Sequence, residues 1–459
     1  MFHFSQWSVN EPARQIRGRG SLFDFNRHPV YSGDTTLSLD SVAVFETNSK
    51  YMPPSIALTS LVTGASLGMT GYCMANPKAC FGSCPTFYLR KGNEDKLVAE
   101  GFSGSIAPSL EATDWDPVAT VPPEGGPGDF VLQVRNEALE THVIRGLSIL
   151  AFPHKEEQTV LADASGGFYE ASWTRPVDRC TGSEGNCLEP LKAEDGNERT
   201  SLADEHDLAA RETLEVVVEH WPGGDAGVVI SARQSLLPTF LFYQMLSYMG
   251  RDAGTWFSRL ETNGSAILGH TVADKMGGIE VWIPDKSGVL TNMGEMRENG
   301  PLAVDRQVVP LGHLDSGSIR IQIRMAKGYW RLDQMSLVRL EHAVYPVKLV
   351  PVQIQRNGKA DAAALLEIQG GKGLLQMPGD AREIHFRLPE SSLGWVLFLE
   401  SRGYYWEWMR QEWLKEENPM KAVQMVFEPE KSLRELAPEF KKVERGMETI
   451  FWKSRYGRF

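Results

Sequence analysis

Short segments in which apolar and polar residues alternate, separated by turns rich in Gly and Pro, recur along most of the chain. Alternation with a period of two is typical of a β-strand that buries one face and exposes the other. Segments of this kind cover residues 37–47, 86–102, 129–137 and 142–154. We therefore predict a mainly β protein with helical additions, of the α+β class, built on antiparallel sheets.

One of these segments predicts a particular hairpin. Residues 86–102 read TFYLRKGNEDKLVAEGF, in which Phe87–Leu89 and Leu97–Ala99 flank a polar stretch that contains Gly92 and Asn93. A Gly-Asn pair between two apolar runs favours a tight reversal of the chain. Two antiparallel strands are expected here.

The length of 459 residues predicts more than one folded unit, because single hydrophobic cores stop growing at about 250–300 residues. Changes of periodicity along the chain suggest where the units divide. The predicted parts are an N-terminal extension (1–36), an antiparallel β-rich domain with the cysteines (37–232), buried aromatic helices (233–263), a region like a β-sandwich or jelly roll (264–400) and a helical tail (401–459).

Two segments carry apolar residues at helical spacing. Residues 235–261 are apolar on nearly every helical face, which favours a buried helix, with a groove for an apolar partner or lipid as the alternative. In the tail, Trp406, Met409 and Trp413 are spaced as one stripe of a helix. We expect this stripe to pack on the β body or on a second subunit.

The charge balance argues against binding of nucleic acid. The formal net charge is −12, whereas nucleic-acid-binding domains concentrate Lys and Arg.

The first fifteen residues lack the apolar core of a secretory signal. Residues 55–75 are uncharged and rich in Ser, Thr and Gly, which leaves open either membrane association or a segment buried inside the fold.

Five cysteines occur, at Cys73, Cys80, Cys84, Cys180 and Cys187. None forms the paired Cys-x2-Cys knuckles of a zinc ribbon. The short loops Cys80–Cys84 and Cys180–Cys187 suit local disulfides, and Cys73 competes for either partner of the first pair. We predict structural bridges, with a metal site or reduced cysteines as alternatives, and we assign no metal and no cofactor.

Two sets of residues are candidates for chemistry. Asp204, Glu205, His206 and Asp207 could act as an acid/base or metal set in an irregular loop, although capping of a helix start is the simpler explanation. Trp282, Tyr329 and Trp330 could stack on a sugar ring, or pack in the core. No Gly-x-Ser-x-Gly, His-Glu-x-x-His or phosphate-binding loop is present.

Several long segments give the chain a resemblance to known sequences: KACFGSCPTFY (78–88), AEGFSGSIAPSLEATD (99–114), VRNEALETHVIR (134–145), ARQSLLPTFLFYQMLSYMG (232–250), GYWRLD (328–333) and ESRGYYWEWMRQEW (400–413). They resemble a family of uncharacterised bacterial proteins of the cell envelope. The resemblance implies an extracytoplasmic location, in the periplasm or at the cell surface, and an oxidising compartment that favours disulfides. It implies no catalytic residue.

Two functional hypotheses follow. The first is a cell-envelope binding or assembly protein without catalytic activity, which meets a protein partner or envelope component through its apolar and aromatic helices. The alternative is an extracytoplasmic hydrolase that acts on a glycan, since the carboxylate pair of a glycosidase leaves no local spacing in sequence.

Overall fold

The computed structural model describes residues 2–10, 12–23, 29–39, 84–92, 94–122, 128–154, 158–257, 272–297, 300–391, 393–409 and 413–454. These residues form several antiparallel sheets followed by a helical C-terminal segment. The predicted β-rich α+β class is thereby confirmed. The segment 55–75, together with Cys73 and Cys80, lies outside the described residues.

The N-terminal residues form a sheet of their own. Strands β1 (Phe2–Asn10), β2 (Gln15–Phe23) and β3 (Pro29–Ser38) pair in sequence order and antiparallel. Most of their side chains are exposed, whereas Ile16 is buried. The predicted strand at residues 37–47 lies outside the described part of the chain from residue 40 onward.

The elements that follow are given in chain order. The first group is β4 (Thr86–Lys91), β5 (Glu94–Glu100), β6 (Ala112–Val121), β7 (Asp129–Arg135) and β8 (Glu140–His154). Strands β4 and β5 are the hairpin predicted from the sequence, paired from Thr86 with Glu100 to Lys91 with Glu94.

The second group comprises β9 (Thr159–Ala162), β10 (Phe168–Pro176), β11 (Arg179–Gly182), β12 (Gly185–Asn186), β13 (Arg211–Trp221), β14 (Gly224–Gln234), α1 (Leu237–Met249), α2 (Val272–Met276), β15 (Ile279–Pro284), β16 (Leu290–Met296), β17 (Asp305–Leu314), β18 (Gly317–Ala326) and β19 (Trp330–Ala343).

The last group comprises β20 (Val347–Leu349), β21 (Gln353–Arg356), β22 (Lys359–Ala360), α3 (Ala362–Gln369), β23 (Leu374–Gln376), β24 (Ala381–Arg387), β25 (Gly394–Glu407), α4 (Pro419–Phe427) and α5 (Pro429–Ser454).

The first and last groups together build the first β unit. One sheet has the order β22-β21-β24-β7-β4-β5, and the other has the order β20-β8-β25-β6, with β23 paired to β8. Alternate residues of the two sheets meet in one core, among them Leu132, Phe386, Ile149 and Leu397. Burial of apolar side chains from both sheets is what holds such a sandwich together.

The second group builds the second β unit. Strands β10-β19-β14-β17-β9 close into a barrel beside a sheet of order β12-β11-β13-β18-β15-β16. Val216, Ile230, Ile323 and Leu337 lie in its core. The unit is inserted between β8 and β20 of the first β unit, so the sheets do not follow the predicted division into 37–232 and 264–400: β14 pairs with β17 and β19.

The aromatic helix α1 is buried as predicted, and it is covered by the tail. The Tyr243 and Trp413 rings lie 4.8 Å apart, and the Phe240 and Phe440 rings lie 5.2 Å apart. Helices α4 and α5 contribute Met425, Leu433 and other apolar residues to the core of the second β unit.

The predicted start of the helical tail at residue 401 is wrong. Strand β25 continues to Glu407, and its residues Tyr404 and Tyr405 are buried. Trp406 therefore does not share a helical stripe with Met409 and Trp413. Strand β25 is buried on both faces over most of its length, and such a run cannot be told from a buried helix by its periodicity.

Candidate functional site

The structure places the predicted site residues apart from one another. Cys180 and Cys187 form the predicted disulfide. Cys84 is a free, buried thiol, so the predicted Cys80–Cys84 bridge is wrong. Burial, together with the nearby carboxylates of Glu100 and Glu140, raises the pKa of the Cys84 thiol well above its usual value. A thiol held in this way is a poor nucleophile.

The acidic set at residues 204–207 forms a turn. The Asp204 carboxylate accepts hydrogen bonds from the backbone N–H groups of His206 (2.9 Å) and Asp207 (3.1 Å). The bond from His206 is the main cause of a lowered Asp204 pKa. Within the described ranges, no group of three or more His, Cys, Asp or Glu side chains is placed to hold a metal ion.

The three aromatic residues proposed for sugar stacking do not present free ring faces together. Tyr329 and Trp330 are only 6% and 2% exposed, and they pack in the core of the second β unit. Trp282 lies on β15, where the Arg324 guanidinium sits 4.3 Å from its ring centroid. Of the two interpretations given above, packing in the core is the one that applies to Tyr329 and Trp330.

A groove of about 680 Å³ opens in the first β unit between the β4–β5 hairpin and β7. We call it the split groove. Its hairpin wall includes Tyr88, Arg90 and Lys96, and its opposite wall includes Val131 and Gln133 of β7 with Glu383 and His385 of β24. Val118–Thr120 of β6 and Phe130 also line it.

The split groove exists because one sheet opens along part of its length. Strand β4 pairs with β7 only through Thr86–Tyr88, opposite Gln133–Arg135. Strand β7 nevertheless stays paired with β24 as far as Asp129, which lies opposite Arg387. Beyond Tyr88 the hairpin therefore diverges from β7.

Local sequence explains the divergence. The register of β4 with β5 shifts at Phe87/Tyr88, where Val98 of β5 is the extra residue, and such a bulge bends its strand and increases the local twist of the hairpin. The hairpin end carries the charged run Arg90 to Lys96, with an Arg90–Asp95 ion pair at 3.3 Å. Charged side chains favour solvent over a place inside a sheet.

The direction of the β7 backbone follows from the bonds at its two ends. The Asn136 N–H donates to the Asp380 carbonyl, and the Leu388 N–H donates to the Gly128 carbonyl. Even-numbered residues of β7 thus direct their backbone groups towards β24. Because these groups alternate along a strand, Asp129 and Val131 direct theirs into the split groove, where no described strand pairs with them.

The side chains of the split groove are of two kinds. Phe130 and Val118 belong to the apolar core of the first β unit. Gln133, Glu383 and His385 lie on the other face of the same sheet, and the buried His385 Nε2 has no hydrogen-bond partner among the described residues. A ligand in the groove would meet apolar contacts on one side and polar groups on the other.

A second polar cluster lies at the junction of the two β units. The Glu100 carboxylate, at the end of β5, accepts a hydrogen bond of 2.7 Å from the Leu302 N–H of the second unit. Gly300 lies directly beside it, and a Cβ at this position would displace the Glu100 carboxylate. Asp114 and Asp116 of β6 approach Asp305 of β17, as their mutual electrostatic effects show.

The carboxyl groups of Asp114 and Asp116 in this junction cluster bind protons more tightly than ordinary carboxyl groups do. Burial and the nearby Asp305 raise the pKa of Asp114 to about 7, and burial with Asp114 and Asp305 raises that of Asp116 well above its usual value. Asp116, Asp305 and Glu100 are each at most 5% exposed. Carboxyl groups crowded in this way share protons instead of ionising together.

Sequence reasoning missed both sites. The charged hairpin end was visible, but the point at which β4 leaves β7 depends on strands distant in sequence. Asp114 and Asp116 are also far from Asp305 in sequence, so no local pattern groups the three residues.

Sequence comparisons with known protein families and curated proteins find no match. No family model matches the chain, and no curated protein matches it. Of the helices in the described ranges, none has both the length and the apolar character needed to cross a bilayer.

Some solved structures show slight similarity. An exo-β-1,3-galactanase from Phanerochaete chrysosporium, solved with β-1,3-galactotriose, has a TM-score of 0.19 and 10% identity over 72% of this chain and 64% of its own. A secreted serine protease from Vibrio cholerae has a TM-score of 0.15 and 8% identity over 56% and 59%. This chain thus spans less than two thirds of either protein, and scores so low carry no argument about fold or function.

Proposed function

We propose that this chain is an extracytoplasmic cell-envelope protein that binds an extended ligand in the split groove, in an assembly or recognition role without catalysis. The observation that carries the proposal is the opening of a sheet at Asp129 and Val131, whose groove-facing backbone groups pair with no strand in the described part of the chain. Exposed strand edges are ready-made binding surfaces, which soluble proteins usually protect.

The Cys180–Cys187 disulfide supports the proposed compartment. Disulfides persist in oxidising surroundings and are rare in the cytosol. The resemblance to uncharacterised bacterial envelope proteins points to the same location. Membership of that family remains part of the proposal.

The ion pairs of two acidic side chains in the split groove, Asp95 and Asp129, favour binding over hydrolysis. A glycoside hydrolase uses two carboxyl groups on either side of the scissile bond. In the split groove, Asp95 is paired with Arg90 and Arg135, and Asp129 lies 3.3 Å from Arg387. Each of these two carboxylates is thus engaged by an arginine side chain and not by a partner carboxyl group of the kind that flanks a scissile bond.

In-cell photocrosslinking tests the proposal. A photoreactive amino acid replaces Thr120, an exposed residue at the split groove, or Val289, an exposed residue on the second β unit, as the control. We expect a discrete crosslinked species from position 120 in the extracytoplasmic fraction, and none from position 289. Equal crosslinking at both positions, or fractionation with the cytosol, would contradict the proposal.

A further inference from the structure

The register of β4 with β7 shows which backbone pairs would follow if the two strands stayed together beyond Tyr88. Thr86 pairs with Arg135, and Tyr88 pairs with Gln133. Continued in the same register, Arg90 would pair with Val131. The strands have separated by that point, so these backbone groups face each other across the split groove.

The hairpin wall presents its backbone to the groove as β7 does. The Gly101 N–H donates to the Pro85 carbonyl, so odd-numbered residues at the start of β4 direct their backbone groups towards β5. By alternation, Thr86 and Tyr88 face β7, and Arg90 faces the split groove. Arg90 on the hairpin wall, and Asp129 and Val131 on the β7 wall, therefore direct their N–H and C=O groups into the split groove.

On this basis, and resting on the function proposed above, we propose that the ligand of the split groove is an extended peptide segment that inserts as a β-strand between β4 and β7. A second polypeptide backbone repeats donors and acceptors with the period of Asp129 and Val131 on β7, and its other edge would face the backbone groups of Arg90. A glycan could hydrogen-bond to single groups, but it lacks this repeat.

The faces of the split groove define the side chains that the peptide carries. Successive side chains of an inserted strand point to opposite faces of the sheet. One set would meet Phe130 and Val118 of the apolar core, and the other would meet Gln133, Glu383 and His385. The preferred segment therefore alternates apolar and polar residues.

Another edge of the first β unit is less suited to strand addition. Strand β20 is the terminal strand of its sheet, but it is three residues long and lies between Pro346 and Pro351. Short strands and prolines are features that block pairing at an edge. The split groove has no proline between Asp129 and Arg135.

Affinity selection with defined peptides tests the inference. The probe is a pool of 10-residue peptides that alternate Val or Leu with Thr or Ser, presented to the full chain and to two variants. Val131→Pro removes the N–H that faces the split groove, and the matched control Val131→Thr keeps it. We expect retained peptides to bind Val131→Pro at least tenfold more weakly, and Val131→Thr within about threefold of the unchanged protein.

A second measurement does not depend on the folding of a variant. The best peptide is N-methylated on alternate residues, in either of the two phases. An inserted strand pairs on both edges, so methylation in each phase should abolish binding. Loss in one phase only would show addition to a single edge and overturn the inserted geometry.

The same assay separates the two proposals. If no peptide of the pool is retained, but chitohexaose binds and competes with crosslinking at position 120, the peptide inference is wrong and the groove remains a binding site. If neither probe binds and position 120 gives no crosslink, both proposals are wrong.

Discussion

Asp116 lies at the junction of the two β units, and only 5% of its surface is exposed. The carboxyl groups of Asp114, Asp305 and Glu100 lie near it. Burial and these neighbours raise its pKa in the folded protein. A carboxyl group with a raised folded pKa stabilises the fold below its unfolded pKa of about 3.9, and this contribution is lost as the pH rises through the folded value. For Asp114 that loss is complete near pH 7.

Asp116→Asn should therefore raise the free energy of unfolding at pH 8 more than at pH 5, because an amide stays neutral. Urea unfolding at both pH values measures this. The control is Asp285→Asn, since hydrogen bonds from Ser287 and Val289 lower the pKa of that exposed carboxylate. We expect no gain at pH 8 from the control. A variant Asp116→Asn that is less stable than the unchanged protein at pH 8 would contradict this account of the junction.

The sequence predicts those strands and bridges whose cause is local. The hairpin of β4 and β5 follows from alternation around a Gly-Asn turn, and the Cys180–Cys187 bridge follows from a short polar loop. That Cys84 is a free, buried thiol does not follow from its spacing to Cys80. Its thiol is buried beside Ser103 and Tyr405, which the sheets bring from distant parts of the chain.

The split groove could not be predicted for the same reason. The residues that border it were identified as strands, but their pairing was not. Strand β4 leaves β7 next to the register shift of the β4–β5 hairpin, and β7 stays paired with β24, which is contributed by a segment after the whole second β unit. Alternation of apolar and polar residues predicts that a strand exists, whereas the strands with which it pairs are determined by long-range packing.

The Cys180–Cys187 bridge gives a prediction for one element, the β11–β12 hairpin. The cysteines are seven positions apart, and in the chain-entropy model a loop of that size stabilises the fold by about 2 kcal/mol. The double variant Cys180→Ser with Cys187→Ser should lose about this amount in urea unfolding and keep its far-ultraviolet circular dichroism. Either an unchanged free energy of unfolding or complete loss of the fold would contradict this estimate.

The tail joins the parts of the whole molecule. Helices α4 and α5 and Trp413 bury at least ten apolar side chains against α1 and the second β unit: Trp413, Ala422, Met425, Leu433, Leu436, Ala437, Phe440, Val443, Met447 and Phe451. Each large apolar side chain contributes roughly 1.5–3 kcal/mol, against a total stability of about 5–15 kcal/mol for a typical domain.

Truncation after Met409, which keeps β25 intact, should therefore abolish cooperative thermal unfolding of the second β unit and cause aggregation. Differential scanning calorimetry and light scattering measure both effects. The control is deletion of residues 1–39, whose sheet is largely exposed, and it should leave the melting temperature within a few degrees. If the chain truncated after Met409 remains soluble and melts as the full chain does, the tail has no such role.

Amide hydrogen exchange along β7 tests directly whether the sheet is open between β4 and β7. In the free protein, the N–H groups of Phe130 and Leu132 point to β24 and should exchange slowly, whereas those of Asp129 and Val131 point into the split groove and should exchange quickly. Gln133, still paired with Tyr88, should again be slow. Exchange at Val131 as slow as at Leu132 would show that the sheet is closed there, and the split groove would not be a binding site.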